Sequence, residues 1–152
     1  MKIYYREKSG GIEILRCFGI EGRVEIPGMI EDKLVISAAP YAFSSHMDEK
    51  EELKNAGLWE VSDGLGFGRE EHVLAGNDVE EIVFPDTLKE IGRYIFYGCG
   101  NLRKLEFSDS LMQIGCGAFT GCHALEKLTV HMRQGKKSGV KECWARCGRG
   151  LM

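Results

Sequence analysis

Residues 79–130 read VEEIVFPDTLKEIGRYIFYGCGN (79–101), LRKLEFSDSLMQIGCGAFTGCHA (102–124) and LEKLTV (125–130), one pattern stated twice and begun a third time. Ile82, Leu105 and Leu128 lie 23 apart (105 − 82 and 128 − 105), and Phe84, Phe107 and Val130 keep the same step. So do the pairs Leu88/Leu111, Ile91/Ile114, Gly92/Gly115, Phe96/Phe119, Gly98/Gly121, Cys99/Cys122 and Leu102/Leu125. A gapless step of this length marks a repeat architecture, in which each unit is too small to bury its own apolar face and buries it against its neighbours.

The alternation Ile82/Phe84, repeated at Leu105/Phe107 and Leu128/Val130, puts these side chains on the inner side of short strands. Coils stacked about 4.8 Å apart then bury continuous apolar ladders. Phe96 and Phe119 fill the interior, and Gly92 and Gly115 mark a sharp turn with no room for a Cβ. Cys99 and Cys122 are small enough to close the turn inside the core. The same alternation sends Glu81, Val83 and Pro85 outward, with Lys104, Glu106 and Ser108 beside them and Lys127, Thr129 and His131 beyond. The periodic residues are consumed by packing, so a partner would be met by Glu81, Val83, Lys104, Glu106, Lys127 and Thr129. The simpler alternative is a solvated sheet face with cross-strand Glu–Lys pairing.

Subtracting the same step from Ile82 and Phe84 lands on Trp59 and Val61, and from Leu88 on Leu65, which predicts a degenerate coil over 56–78. Before it, SSHMDEKEELKNAG (44–57) supplies Ser45 as an N-cap, an acidic first turn and a stop at Gly57, and predicts a short helix near 48–55. RVEIPGMIEDKLVISAAPYAF (23–43) reads as a variant first coil within 12–44, with Val24 and Ile26 in its strand and Val35, Ala38, Ala42 and Phe43 turned inward. It carries about five extra residues, a length that a surface loop absorbs cheaply. Lys2–Tyr5 and Ile12–Phe18 alternate around Ser9-Gly10-Gly11 and predict a strand pair. Downstream, HMRQGKKSG (131–139) is a polar linker, and Val140, Cys143, Trp144 and Cys147 fall on one face of a predicted C-terminal helix. That helix would cap the last coil. The expected layout is a repeat domain over 1–132, followed by a linker and capping helix over 133–152.

In outline the unit is LxxLxFsdsLxxIGxxAFxxC, and it resembles the leucine-rich repeats of the bacterial surface antigen type, also called BspA-like or Treponema-type. VEIP (24–27) and VISAAPYAF (35–43) are similar to the first coil of that family. Ile95 stands where the family carries Ala before Phe, Ala38-Ala39 where it carries Ile-Gly, and the middle coil lacks the Cys. The resemblance implies an α/β right-handed leucine-rich-repeat solenoid of about four to five coils, with short strands, irregular or 3-10 turns, one inserted helix and a C-terminal helical cap. It further implies a non-catalytic protein-interaction module, because members of the family are often adhesins or surface proteins. A structural repeat, or a fragment of a longer cell-surface protein with no ligand of its own, is the competing expectation.

Composition narrows the partners. Twenty basic against 23 acidic residues give a formal net charge of −3, which argues against nucleic acid and anionic membrane. An apolar fraction of 43% with 20 glycines and 3 prolines suits a folded, turn-rich chain. No window approaches the roughly 18 uninterrupted apolar residues that a membrane span needs. MKIYYREKSGG lacks the pattern of a signal peptide. The chain as given is therefore expected in the cytoplasm with its six cysteines reduced, or at the cell surface if it is part of a longer exported protein.

Four motifs invite chemistry. Cys122-His123 sets a thiol beside a base, but the repeat puts the Cys in the core, and adjacent residues of an extended chain point apart. Cys143 and Cys147, with Cys122 or His131, lack the second ligand pair of a zinc site. Gly64-Leu65-Gly66-Phe67-Gly68 lacks the Lys-Ser/Thr and the following helix of a phosphate loop. Arg133, Lys136 and Lys137 read as a solvated linker. Asp86 and Asp109 recur in the turns after the strands, where a carboxylate accepts backbone N–H groups. The expectation is no catalytic residue, cofactor, metal or small-molecule substrate, and an unidentified protein partner.

Overall fold

The structure, a computed structural model, describes residues 1–20, 22–46, 53–61 and 71–131. Ser9 and Gly10 both adopt positive φ (50° and 79°), as a two-residue hairpin turn requires, and join β1 (Lys2–Lys8) to β2 (Gly11–Gly19). β3 (Arg23–Glu25) is followed by a second hairpin, β4 (Met29–Ile30) and β5 (Lys33–Ala38), which turns at Glu31-Asp32 and accommodates the extra residues of the first coil. Then come β6 (Gly57–Glu60), β7 (His72–Val73), a 3-10 turn at Gly76–Asp78, β8 (Glu81–Val83), β9 (Glu90–Ile91), β10 (Lys104–Ser108), β11 (Gln113–Ile114) and β12 (Lys127–His131).

Two parallel ladders organise the repeats. In the first, β3, β8, β10 and β12 align Val24, Ile82, Leu105 and Leu128 in one row. In the second, β5, β9 and β11 align Ala38, Ile91 and Ile114. Between the ladders lies the core, where Phe43, Phe96 and Phe119 follow one another at 6.0 and 5.6 Å between ring centres. Phe84 and Phe107 stack in parallel at 5.0 Å.

The coils touch backbone to backbone. A Cβ on Gly92 would lie 2.2 Å from the Pro40 nitrogen, and one on Gly115 would lie 2.1 Å from the Arg93 nitrogen. In the first coil the neighbour on that side is β2, whose Ile14 carbonyl accepts the Ala39 N–H, and a buried alanine is accommodated. At two bends each coil also donates a side-chain hydrogen to the coil before it. Cys99 and Cys122 donate Sγ–H to the carbonyls of Phe43 and Phe96 (3.3 and 3.4 Å). The hydroxyls of Thr87 and Ser110 donate to the carbonyls of Val35 and Leu88 (2.7 and 2.8 Å).

The expected degenerate coil over 56–78 is corrected. β3 pairs directly with β8, Arg23 with Glu81 and Glu25 with Val83, so the ladder holds no slot for Trp59 and Val61. The chain instead runs back to the N-terminal hairpin, where β6 lies antiparallel on β1 and β7 antiparallel on β2. An exposed hairpin edge presents unpaired N–H and C=O groups, and this excursion supplies their partners. Gly57 lets the Tyr5 ring close over it, since a Cβ there would meet the ring at 2.4 Å.

Strands and turns dominate. Among the described residues the helical structure is the single 3-10 turn, so the expected α/β class becomes a strand-rich one. Most of the predicted helix near 48–55 lies outside the described residues, and its end at Leu53–Asn55 is a turn. The capping helix within 133–152 lies outside them altogether. Three coils and the first strand of a fourth are described.

β2 continues the second ladder by pairing parallel with β5, and two polar devices fasten it there. The Arg16 guanidinium, 1% exposed, donates to the carbonyls of Tyr41, Ala42 and Ser44 (3.2, 3.1 and 2.6 Å). On the outer side of the sheet a row runs Arg6, Glu13, Ser37, Glu90, Gln113 across five strands. The Ser37 hydroxyl sits 3.2 Å from the buried Glu13 carboxylate and 3.0 Å from that of Glu90, while Lys8 bridges both acids and Arg6 binds Glu13. The Lys8 hydrogen bond holds Glu90 below its ordinary value of 4.5, and Glu90 in turn raises Lys8 above 10.5.

Two outcomes follow for stability. Gly115→Ala should cost about 3 kcal/mol in urea unfolding, because backbone must move, whereas Gly28→Ala, with only ordinary contacts near its Cβ, should stay within about 0.5 kcal/mol. A carboxylate with a depressed folded value stabilises above its unfolded value and loses that contribution as pH falls through the folded one. A raised lysine stabilises below its unfolded value and loses that contribution as pH rises through the folded one. The Lys8–Glu90 pair is therefore at full strength between about pH 5 and 10. Glu90→Gln should flatten the acid limb of the unfolding midpoint below pH 4.5; identical limbs would show that the pair contributes nothing.

Candidate binding face

The outward positions of the first ladder form two rows. One is Arg23, Glu81, Lys104, Lys127 and the other is Glu25, Val83, Glu106, Thr129. Alternation along each strand puts them opposite Val24, Ile82 and Leu105, which are at most 1% exposed. Arg23, Glu25, Lys104 and Lys127 are exposed, and the other four are half-buried. Three cations and one carboxylate occupy the first row, two carboxylates the second. Arg23 and Glu81 form an ion pair at 3.9 Å. A shallow depression of about 120 Å³ opens among Glu81, Lys104, Glu106, Lys127 and Thr129.

All six residues singled out from the sequence, Glu81, Val83, Lys104, Glu106, Lys127 and Thr129, come together on this face. Ser108 does not join them. It is 7% exposed, and its hydroxyl accepts the Ser110 N–H and donates to the Ser110 hydroxyl, closing the turn that holds Asp109. Arg23 and Glu25 were missed, because a further coil was expected between them and Glu81. The signal was present in the two pentapeptides RVEIP (23–27) and EIVFP (81–85), each of which ends its strand at a proline.

A groove of about 600 Å³ adjoins the face at the ends of β3 and β8. Ile26, Pro27, Phe84 and Pro85 line one side, Met1, Trp59 and Val61 the other, and Glu25 and Val83 belong to both groove and face. Its apolar wall exists because β6 lies on β1, which carries Trp59 to the strand ends. Sequence reasoning placed Trp59 in the ladder and so could not find the groove.

Among the described residues no group of three or more His, Cys, Asp or Glu is placed to hold a metal ion, and no helix is long and apolar enough to cross a membrane. Gly64–Gly68, Arg133, Lys136, Lys137, Cys143 and Cys147 lie outside the described residues.

A profile of the family described as the BspA type leucine rich repeat region (6 copies) matches residues 70–148, just over half of the chain. No curated protein sequence matches it. Among solved structures, the chain is similar to a leucine rich cell surface protein from Faecalibacterium prausnitzii, at 19% identity and a TM-score of 0.56 over 85% of this chain and 30% of that one. It is also similar to the pneumococcal vaccine antigen PcpA (20% identity, TM-score 0.40, 84% of this chain and 36% of that one). A third similarity is to a leucine rich repeat protein of T. pallidum (16% identity, TM-score 0.36, 97% and 90%). The first of these shows the shared fold, and the chain spans less than a third of that protein's length.

Cys122 is committed to packing, with its Sγ on the Phe96 carbonyl, and burial pushes its thiol up to about 12, as it does those of Cys17 and Cys99. A thiol held protonated is a poor nucleophile at neutral pH. Cys116 is exposed. Alkylation of the native chain with iodoacetamide at pH 8, mapped by peptide mass, should modify Cys116 faster than Cys17, Cys99 and Cys122 by on the order of tenfold or more. Equal rates at Cys116 and Cys122 would show that the bend around Cys122 opens readily.

Proposed function

This chain belongs to the BspA-type leucine-rich repeat family, and on that premise we propose that it is a non-catalytic protein-interaction module whose partner docks on the β3–β8–β10–β12 face. One observation carries the reading. The eight outward side chains take no part in the core, and they adjoin an apolar groove that contains Trp59, Pro27 and Pro85. Polar rows beside an apolar groove offer both kinds of contact that protein interfaces use, and a tryptophan in a pocket commonly carries much of the affinity. In a longer exported protein the module would act at the cell surface, the location given for the similar Faecalibacterium protein.

A second reading, a structural repeat without a ligand of its own, is favoured by length, since the chain spans only 30% of that protein. Photo-crosslinking separates the two. Benzoylphenylalanine placed at residue 83, in the middle of the face, should yield a discrete crosslinked partner, whereas the same group at residue 113, on the outer row of the second ladder, should not. No crosslink at residue 83 in a chain that keeps its circular dichroism spectrum, or the same products at both positions, would support the structural reading.

A further inference from the structure

We propose that the partner of this face presents an acidic segment, with one carboxylate seated between Lys104 and Lys127. The inference rests on the docking face proposed above and adds the chemistry of what docks. Lys104 and Lys127 are direct partners in the parallel register of β10 and β12, and both are exposed. Like charges placed directly opposite on neighbouring strands destabilise a sheet, so this pairing costs the isolated chain stability. Their row holds one carboxylate, Glu81, and its ion pair is with Arg23 on the far side. Among the described residues, neither lysine has a carboxylate within ion-pair distance.

Both lysines line the depression of about 120 Å³, together with Thr129 and the carboxylates Glu81 and Glu106. It has room for a carboxylate head group. Thr129, on its rim, offers a hydroxyl donor. An anion there would satisfy both lysines at once and turn a repulsive pair into two charge-assisted hydrogen bonds. The second row, with Glu25 and Glu106, opposes a long polyanion, as does the net charge of −3. A protein segment with isolated acidic side chains fits, and a nucleic acid does not.

The test uses the full ¹⁵N-labelled chain and two end-blocked peptides with one acidic side chain or its amide, Gly-Ser-Gly-Glu-Gly-Ser-Gly and Gly-Ser-Gly-Gln-Gly-Ser-Gly. The acidic peptide should give saturable amide shifts confined to residues 104–106 and 127–129, and the twin should give none. The double variant K104Q/K127Q should weaken the acidic peptide by about fivefold or more, and K89Q, at an exposed lysine outside the face, should leave it unchanged. Equal shifts from both peptides, or undiminished binding by K104Q/K127Q, overturns the proposal. Displacement by a short DNA oligonucleotide at equal concentration overturns it in favour of nucleic acid, and shifts that grow with protein concentration alone overturn it in favour of a second copy. If K104Q/K127Q keeps the residue 83 crosslink at full yield, this inference falls and the docking face stands; if no crosslink forms at residue 83 in the wild-type background, the face itself falls.

Discussion

Each coil rests directly on the backbone of the one before it, and the rest of the structure depends on that contact. At Gly92 and Gly115 the approach leaves no space for a single carbon. Main chains held at strand spacing must find hydrogen bonds wherever the chain bends out of the ladders, because a buried carbonyl without a donor is costly. Cys99, Cys122, Thr87 and Ser110 supply those donors, each reaching one coil back. The same spacing brings phenylalanines into columns, Phe84 on Phe107 and Phe43, Phe96 and Phe119 in sequence. Glycine, small donor and aromatic ring therefore recur together because one geometric condition requires all three.

A stack built this way leaves raw ends, and the N-terminal one is closed by a different kind of structure. The β1–β2 hairpin extends the second ladder, Arg16 ties it to the first coil, and β6 and β7 return to cover its edge. The row from Arg6 to Gln113 spans that junction and joins the hairpin to all three coils. Closing the end has a consequence for the surface. With residues 57–60 spent on the hairpin, β3 lies next to β8, the face gains Arg23 and Glu25, and Trp59 forms the wall of a groove.

Core and face were legible in the sequence to different degrees. Ile82, Phe84, Leu105, Phe107, Phe96 and Phe119 announced the core because packing demands the same residue in every coil, and they are all at most 4% exposed. The register of the face followed from them, since the residues between inward ones point outward. Thr87 and Ser110 also keep the step, although chemically equivalent hydroxyls spelled differently are easily read as unrelated turn residues. The pairing of β6 and β7 with the hairpin was illegible in kind. Trp59 and Val61 alternate as a ladder strand would, and alternation is the same whether the neighbouring strand is parallel or antiparallel.

The repeat, its step, the inward and outward side of each coil and the need for glycine where coils meet are written into the residues themselves, because these are local conditions imposed again at every turn. Which strand is neighbour to which is settled by the folded chain as a whole. β3 finds β8 across a long separation in sequence, and the strand at Gly57–Glu60 finds β1, because pairing satisfies open edges wherever they come together in space. The groove beside the face, and the pairing of Lys104 with Lys127 while Glu81 turns to Arg23, depend on those choices of neighbour and on nothing local to the residues themselves.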